Sequence, residues 1–333
     1  MFFTFYSFTG GTGQSLALAN AAYFLAMKGL RVLVLDMNFQ HPSMPRLLGL
    51  QQGEERGLID LIDAHLQGAP PIPLSDILMY VPRPRDMSGE LFFLSAGGRE
   101  GGAPARSPDL PWDRLYREHE GYLFFENLKG EIHNRLKPDI VLVDGGAGYF
   151  DPAGIAVLQV ADSLILFTNS SNLALDSLAE GGSSFIPSDG PGARGTRERL
   201  IVVSPMPSAS EEAVNKCLKT ASRGAGALRA ISVPYASTQA WTADGRMIHT
   251  RPGEPVSQAY RSLARWLDGS GLGAQGFRMR VESQAHRPEA IISLLQRVTN
   301  PKKAVLESVR EALVHEGLSR RGGEPLAKKV ASA

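Results

Sequence analysis

The sequence predicts an α/β protein: a doubly wound, mainly parallel sheet with helices on both faces, followed by a short C-terminal helical extension. Three observations predict it. Short apolar runs at residues 2–8, 32–35 and 140–143 read as strands, the last two as strands buried on both faces of a parallel sheet. Segments of helical period separate most of them, each longer than a hairpin, which argues parallel neighbours. The first strand also turns into the first helix through Gly10-Gly11-Thr12-Gly13, a backbone suited to collecting anions.

In chain order, residues 15–28 place Leu18, Ala22, Leu25 and Ala26 on one helical face, and Gly29 is a natural stop. The run 32–35 is a strand that ends at Asp36. Residues 57–66 read as a short helix ended by the turn-rich stretch 68–73. Runs 77–81 and 91–94 read as short strands around an Arg/Pro/Gly loop, and 97–111 as a glycine- and proline-rich insertion. Residues 112–136 read as one long helical region, in which Trp112, Leu115, Tyr122 and Phe125 form an aromatic stripe suited to core packing. The strand 140–143 ends at Asp144. Gly190, Pro191, Gly192 and Gly195 mark 187–196 as an exposed loop. A strand at 200–204 and a helix at 211–221 follow within the predicted domain, residues 1–270. After Gly273 the pattern changes. Residues 288–298 and 301–315 read as helices with proline in the first turn, ahead of a polar Gly/Arg/Lys tail, so 271–333 is expected to be a helical extension with a basic tail.

Composition narrows the function classes. A chain of 333 residues with 43% apolar residues can bury a substantial core, and a net charge of +1 gives no global reason to expect nucleic acid or an anionic membrane. The charge is uneven: residues 271–333 carry 11 Lys/Arg against 6 Asp/Glu, leaving −4 for residues 1–270. The tail reads as a solvated appendage. Cys217 is the only cysteine, which excludes an internal disulfide, and the seven histidines lack metal-ligand spacing. Residues 2–8 are too short for a signal-peptide core and no apolar run reaches the length of a membrane span, so a cytoplasmic protein with no integral membrane segment is expected. In the second predicted C-terminal helix, Val305, Val309, Ala312, Leu313 and Glu316 form a mostly apolar stripe without a bulky aromatic, which fits docking on its own domain better than a membrane.

The chemistry concentrates at residues 9–15, Thr-Gly-Gly-Thr-Gly-Gln-Ser. Glycines let the backbone curl at positive φ, the inward N–H groups make an anion nest, and the helix start adds its dipole. The usual phosphate loop ends in Gly-Lys-Ser/Thr, with lysine on the terminal phosphates and the hydroxyl on Mg²⁺. Here Ser15 is present, but Gln14 takes the lysine position. The segment resembles the deviant P-loop of the ParA/MinD superfamily, Lys-Gly-Gly-x-Gly-Lys-Ser/Thr. It is nearest the branch with arginine at the second basic position, followed by Ala-Leu-Ala-Asn-(Val/Ile)-Ala. Leu16-Ala17-Leu18-Ala19-Asn20-Ala21-Ala22 follows that continuation almost residue for residue. Further matches come in the family's order: residues 31–49 with Asp36, Pro42 and Arg46-Leu47-Leu48-Gly49, residues 138–151 with Asp144 and Gly148, the strand 161–168, and the strand and helix at 231–235 and 255–267.

The resemblance implies a P-loop NTPase-like fold. It implies nucleotide contacts at Gly10, Gly11, Thr12, Gly13, Gln14 and Ser15, and Mg²⁺ contacts at Ser15, Asp36 and Asp144. Asp36 also has the simpler reading of a strand-end cap. Five family positions have lost charge: Thr9 and Gln14 stand for basic residues, Asn38 for the second aspartate of Asp-x-Asp, Gln40 for the glutamate usual in the branch, and Gly146 for an arginine. Shape is kept while charge is deleted. Phosphoryl transfer rests on positioning and charge stabilisation, and one preorganised donor is worth about 3 kcal/mol of barrier. No catalytic residues are therefore expected. The cofactor reading stays open between none and ATP or ADP with Mg²⁺. The leading functional reading is a non-hydrolysing ParA/MinD-like scaffold or regulatory subunit of a bacterial positioning, assembly or signalling system. Its partner would be another protein, an active ATPase paralogue or an assembly component. The alternative is a slow ATP-dependent dimerising switch that positions cargo or DNA.

Overall fold

A computed structural model describes residues 1–50, 56–82, 84, 87–97, 99–100, 103–104, 110–149, 151–185, 199–204, 210–224, 229–234 and 251–269. The predicted loop at 187–196, the predicted helices at 288–298 and 301–315 and the basic tail lie outside these residues.

Ten strands are present among the described residues: β1 Phe2–Ser7, β2 Arg31–Asp36, β3 Leu78–Tyr80, β4 Glu90–Leu94, β5 Arg99–Glu100, β6 Ala103–Pro104, β7 Ile140–Ala147, β8 Ser163–Asn169, β9 Arg199–Ser204 and β10 Arg229–Ser232. Eight form one sheet in the order β10-β9-β8-β1-β7-β2-β4-β3, while β5 and β6 make a separate two-stranded ladder. Every pair in the large sheet is parallel except β3 with β4 at one edge. The predicted doubly wound sheet is therefore the observed one. Alternating residues of β1 divide the core. Phe3 and Phe5 join the layer that holds α1 (Gln14–Met27) and the last described helix, α9 (Pro255–Leu267). Phe2 and Tyr6 face the opposite layer. Its one half holds α3 (Leu58–Leu66), α4 (Trp112–Glu118) and α5 (Gly121–Glu131). Its other half holds α6 (Asp151–Ile155), α7 (Asn172–Phe185) and α8 (Glu211–Gly224). A one-turn helix α2, Met44–Leu47, follows β2.

Three local expectations need correction. Helix α1 is not buried on one face alone: Gln14, residues 16–23, Leu25 and Ala26 are all buried. Its alanines let it sit between the sheet and α9, so it is apolar nearly all round. The region 112–136 is not continuous. It breaks at His119–Glu120, where Glu120 takes the left-handed conformation at φ 52°, and closes in a wide turn of Ile132–Leu136. The stripe Trp112, Leu115, Tyr122 and Phe125 is nonetheless buried. Strand β10 begins two residues before the predicted run. The C-terminus of α1 is as read: Gly29 has φ 94°, and its N–H and that of Leu30 bond the Ala26 and Leu25 carbonyls at 3.0 and 3.2 Å. The described residues contain no helix long and apolar enough to cross a membrane.

Candidate functional site

The glycine loop leaves the C-terminal end of β1, in the middle of the sheet, and β7 and β2 lie next to it in order. β1 is buried along its whole length and pairs in parallel with β7 on one side and β8 on the other. Ligands of such sheets gather beyond the carboxyl ends of the strands. Ser7 closes the strand and starts the loop: its Oγ donates to the Thr9 carbonyl at 2.5 Å and accepts the Thr9 N–H at 3.3 Å. Gly10 and Gly11 are exposed, whereas Thr12 is buried and its carbonyl accepts the Ser204 hydroxyl from the end of β9 at 2.8 Å. Gly11 and Gly13 take φ 76° and 79°, the left-handed region that a side chain would resist. A Cβ at Gly10, Gly11 or Gly13 would enter open space. The cradle is thus unobstructed, and Gly13 caps α1 with its carbonyl on the Ala17 N–H at 3.0 Å.

Beneath the loop, Asp36 and Asp144 are register partners on β2 and β7, both fully buried. Asp144 is held by three donors. Ser15 Oγ donates to its Oδ2 at 2.7 Å, while its Oδ1 accepts Gln14 Nε2 at 3.2 Å and the Gly146 N–H at 3.1 Å. Gln14 Nε2 also donates to the Gly146 carbonyl at 2.6 Å, so the glutamine side chain lies against β7. Burial pushes the Asp144 carboxyl above its ordinary range, partly offset by the hydrogen bonds from Ser15, Gly146 and Gln14. Asp36 Oδ1 accepts the Asn38 N–H at 2.9 Å, and Asn38 Oδ1 accepts the His41 N–H at 3.2 Å. Gly146 has φ 69°, and a Cβ there would lie 3.1 Å from Asn38 Oδ1. Gln40 and Thr9 are half-buried.

The structure therefore brings Gln14, Ser15, Asp144 and Gly146 into direct contact, with Asp36 and Asn38 alongside and the glycine loop above. The backbone amides at residues 10–13 suit an anion, and the oxygens of Ser15, Asp36 and Asp144 are hard donors of the kind Mg²⁺ takes. Residues 7–15 carry no basic side chain. The donor set thus fits a phosphate with a divalent ion in shape, and lacks the cation that ordinarily accompanies it. Sequence reasoning missed Ser7 and Ser204, which fix the loop's two ends. Ser204 lies 192 residues from the carbonyl it holds, and no local signal points to it.

No protein-family model matches the chain, nor does any curated protein sequence. Solved structures do. A McdA variant bound to ATP from Cyanothece superposes with a TM-score of 0.58 at 17% identity, covering 80% of this chain and 96% of the other. MinD in the MinC:MinD cell division complex of Aquifex aeolicus gives 0.57 at 21% identity over the same shares. MinD with Mg-ADP from Pyrococcus horikoshii gives 0.56 at 19%, covering 81% and 97%. The chain has the fold of the ParA/MinD ATPases.

Proposed function

We propose that this chain, folded as the ParA/MinD ATPases are, is a non-hydrolysing member of that group: a scaffold or regulatory subunit that engages another protein through the edge carrying the glycine loop. One observation carries the reading. Both oxygens of Asp144 are satisfied by neutral donors from Ser15, Gln14 and Gly146, and the loop itself has no cation. Hydrolysis needs positive charge where charge develops on the transferred phosphoryl group, and each missing donor costs about 3 kcal/mol, roughly a hundredfold in rate. Tyr149, after β7, and Leu173, at the start of α7, are 56% and 73% exposed beside that edge, which supports a protein partner there.

The open cradle favours a second reading, a slow nucleotide-dependent switch. In it the amides of residues 10–13 hold the phosphates, and Ser15, Asp36 and Asp144 hold Mg²⁺, which when bound would neutralise phosphate charge. Phosphate release from ATP–Mg²⁺ separates the two. Purified protein is expected to release no more than its Ser15→Ala variant. Turnover at the level of an active ParA-type ATPase, abolished by Ser15→Ala, would refute the first reading.

A further inference from the structure

We propose that Gln14 is an internal latch that closes the Asp144 carboxylate to divalent cations. The proposal rests on the reading of the site given above and extends it to how the site is kept shut. The Gln14 side chain is buried, and its Nε2 sits between two acceptors, Asp144 Oδ1 at 3.2 Å and the Gly146 carbonyl at 2.6 Å. Only a donor is tolerated between two such acceptors, which fixes the amide with its nitrogen toward β7. A metal ion or its bound water would have to displace that nitrogen to reach Oδ1. The Ser15 hydroxyl similarly occupies Oδ2 at 2.7 Å.

A second observation bears on the same side chain. The other end of the amide, Gln14 Oε1, is buried with no hydrogen-bond partner among the described residues. A buried acceptor without a donor opposes the arrangement, and the two bonds made by Nε2 must outweigh that cost. The glutamine is thus held in place by Asp144 and Gly146 rather than by its own full satisfaction. Asp36, the register partner of Asp144, completes a pair of buried carboxylates. Such a pair attracts a divalent ion once the neutral donor is withdrawn. A hydrogen bond to a charged acceptor of this kind holds about tenfold in an equilibrium constant.

The test is a Mn²⁺ titration of the full chain without nucleotide, reading free Mn²⁺ by electron paramagnetic resonance. The wild type is expected to bind Mn²⁺ weakly. Gln14→Ala and Gln14→Leu, the second keeping most of the side-chain volume, are each expected to bind about tenfold more tightly or better. Adding Asp144→Asn to either should abolish the gain. Gln14→Lys, whose ammonium still donates to Asp144, should remain as closed as the wild type. Tight Mn²⁺ binding by the wild type would overturn the latch, as would folded Gln14→Ala and Gln14→Leu proteins that gain nothing. The outcome is independent of hydrolysis. ATP turnover together with the gain would remove the non-hydrolysing reading and leave the latch. Absent turnover with no gain would do the reverse.

Discussion

Gly146 and Asn38, two positions where the resemblance leads one to expect charge, prove to be neighbours in space. A Cβ on Gly146 would lie 3.1 Å from the Asn38 amide oxygen, on a backbone at φ 69°. Restoring arginine there should therefore not repair the site. Gly146→Arg is expected to destabilise the protein by roughly 1–3 kcal/mol, from left-handed strain and crowding together, as urea denaturation would report. An unchanged midpoint would mean that the β7 end relaxes freely. Asp144 makes a separate prediction at this scale. Its folded-state carboxyl is raised, chiefly by burial, so between the unfolded and folded values the native state binds more protons than the unfolded one. Its contribution is fully present below the unfolded value and is lost as pH rises through the folded one. Asp144→Asn removes that loss, so its stability relative to the wild type should grow as pH rises above the ordinary aspartate value of about 4. A difference curve that is flat, or that falls with pH, would contradict this sign. Ser15 and Asp36 could be read from the sequence because one opens a helix and the other ends a strand, and Asp144 because it follows the unbroken apolar run 140–143, although β7 continues past it to Ala147. The direction of the Gln14 side chain could not, since it depends on a carbonyl and a carboxylate some 130 residues away.

Among the elements, the central strands were legible because parallel strands buried on both faces leave unbroken apolar runs. The edges were less so: β3 has three residues, and its antiparallel pairing with β4 leaves no mark in its composition. Helix α7 was missed altogether, for Gly181 and Gly182 dilute its helical pattern. Gly181 has a packing reason: a Cβ there would lie 2.1 Å from the Phe8 ring. The break between α4 and α5 also escaped, because the left-handed residue there is Glu120 and not the glycine that follows it, Gly121. That conformation costs a non-glycine residue on the order of 1 kcal/mol. Glu120→Gly is accordingly expected to stabilise the protein by up to about 1 kcal/mol, the glycine's greater unfolded-state entropy taking back part of the gain. Thermal denaturation would show a raised midpoint. A lowered one would mean that the Glu120 side chain contributes more than its backbone costs.

At the scale of the whole molecule, charge decides what the glycine loop can contribute to association. The resemblance implies a pairing in which two subunits face each other across bound nucleotides, with basic residues of both offsetting the triphosphates. In this chain those two positions are Thr9, tied to Ser7, and Gln14, tied to Asp144 and Gly146. Neither supplies positive charge, and residues 1–270 carry a net −4 against the +5 of residues 271–333. Bringing two such faces together over triphosphates would bury anionic charge without a counter-charge from the loop, a cost of several kcal/mol per ion. Nucleotide should then add little to a homodimer, and a strong contact at this edge should rest on groups such as the exposed Tyr149 and Leu173 or on cations brought by a different protein. Sedimentation velocity is therefore expected to give the same distribution with and without ATP–Mg²⁺, and the same again for Ser15→Ala. An ATP-dependent shift from monomer to dimer, lost in Ser15→Ala, would favour the switch over the scaffold, because the nucleotide itself would then be supplying the association energy that this loop lacks.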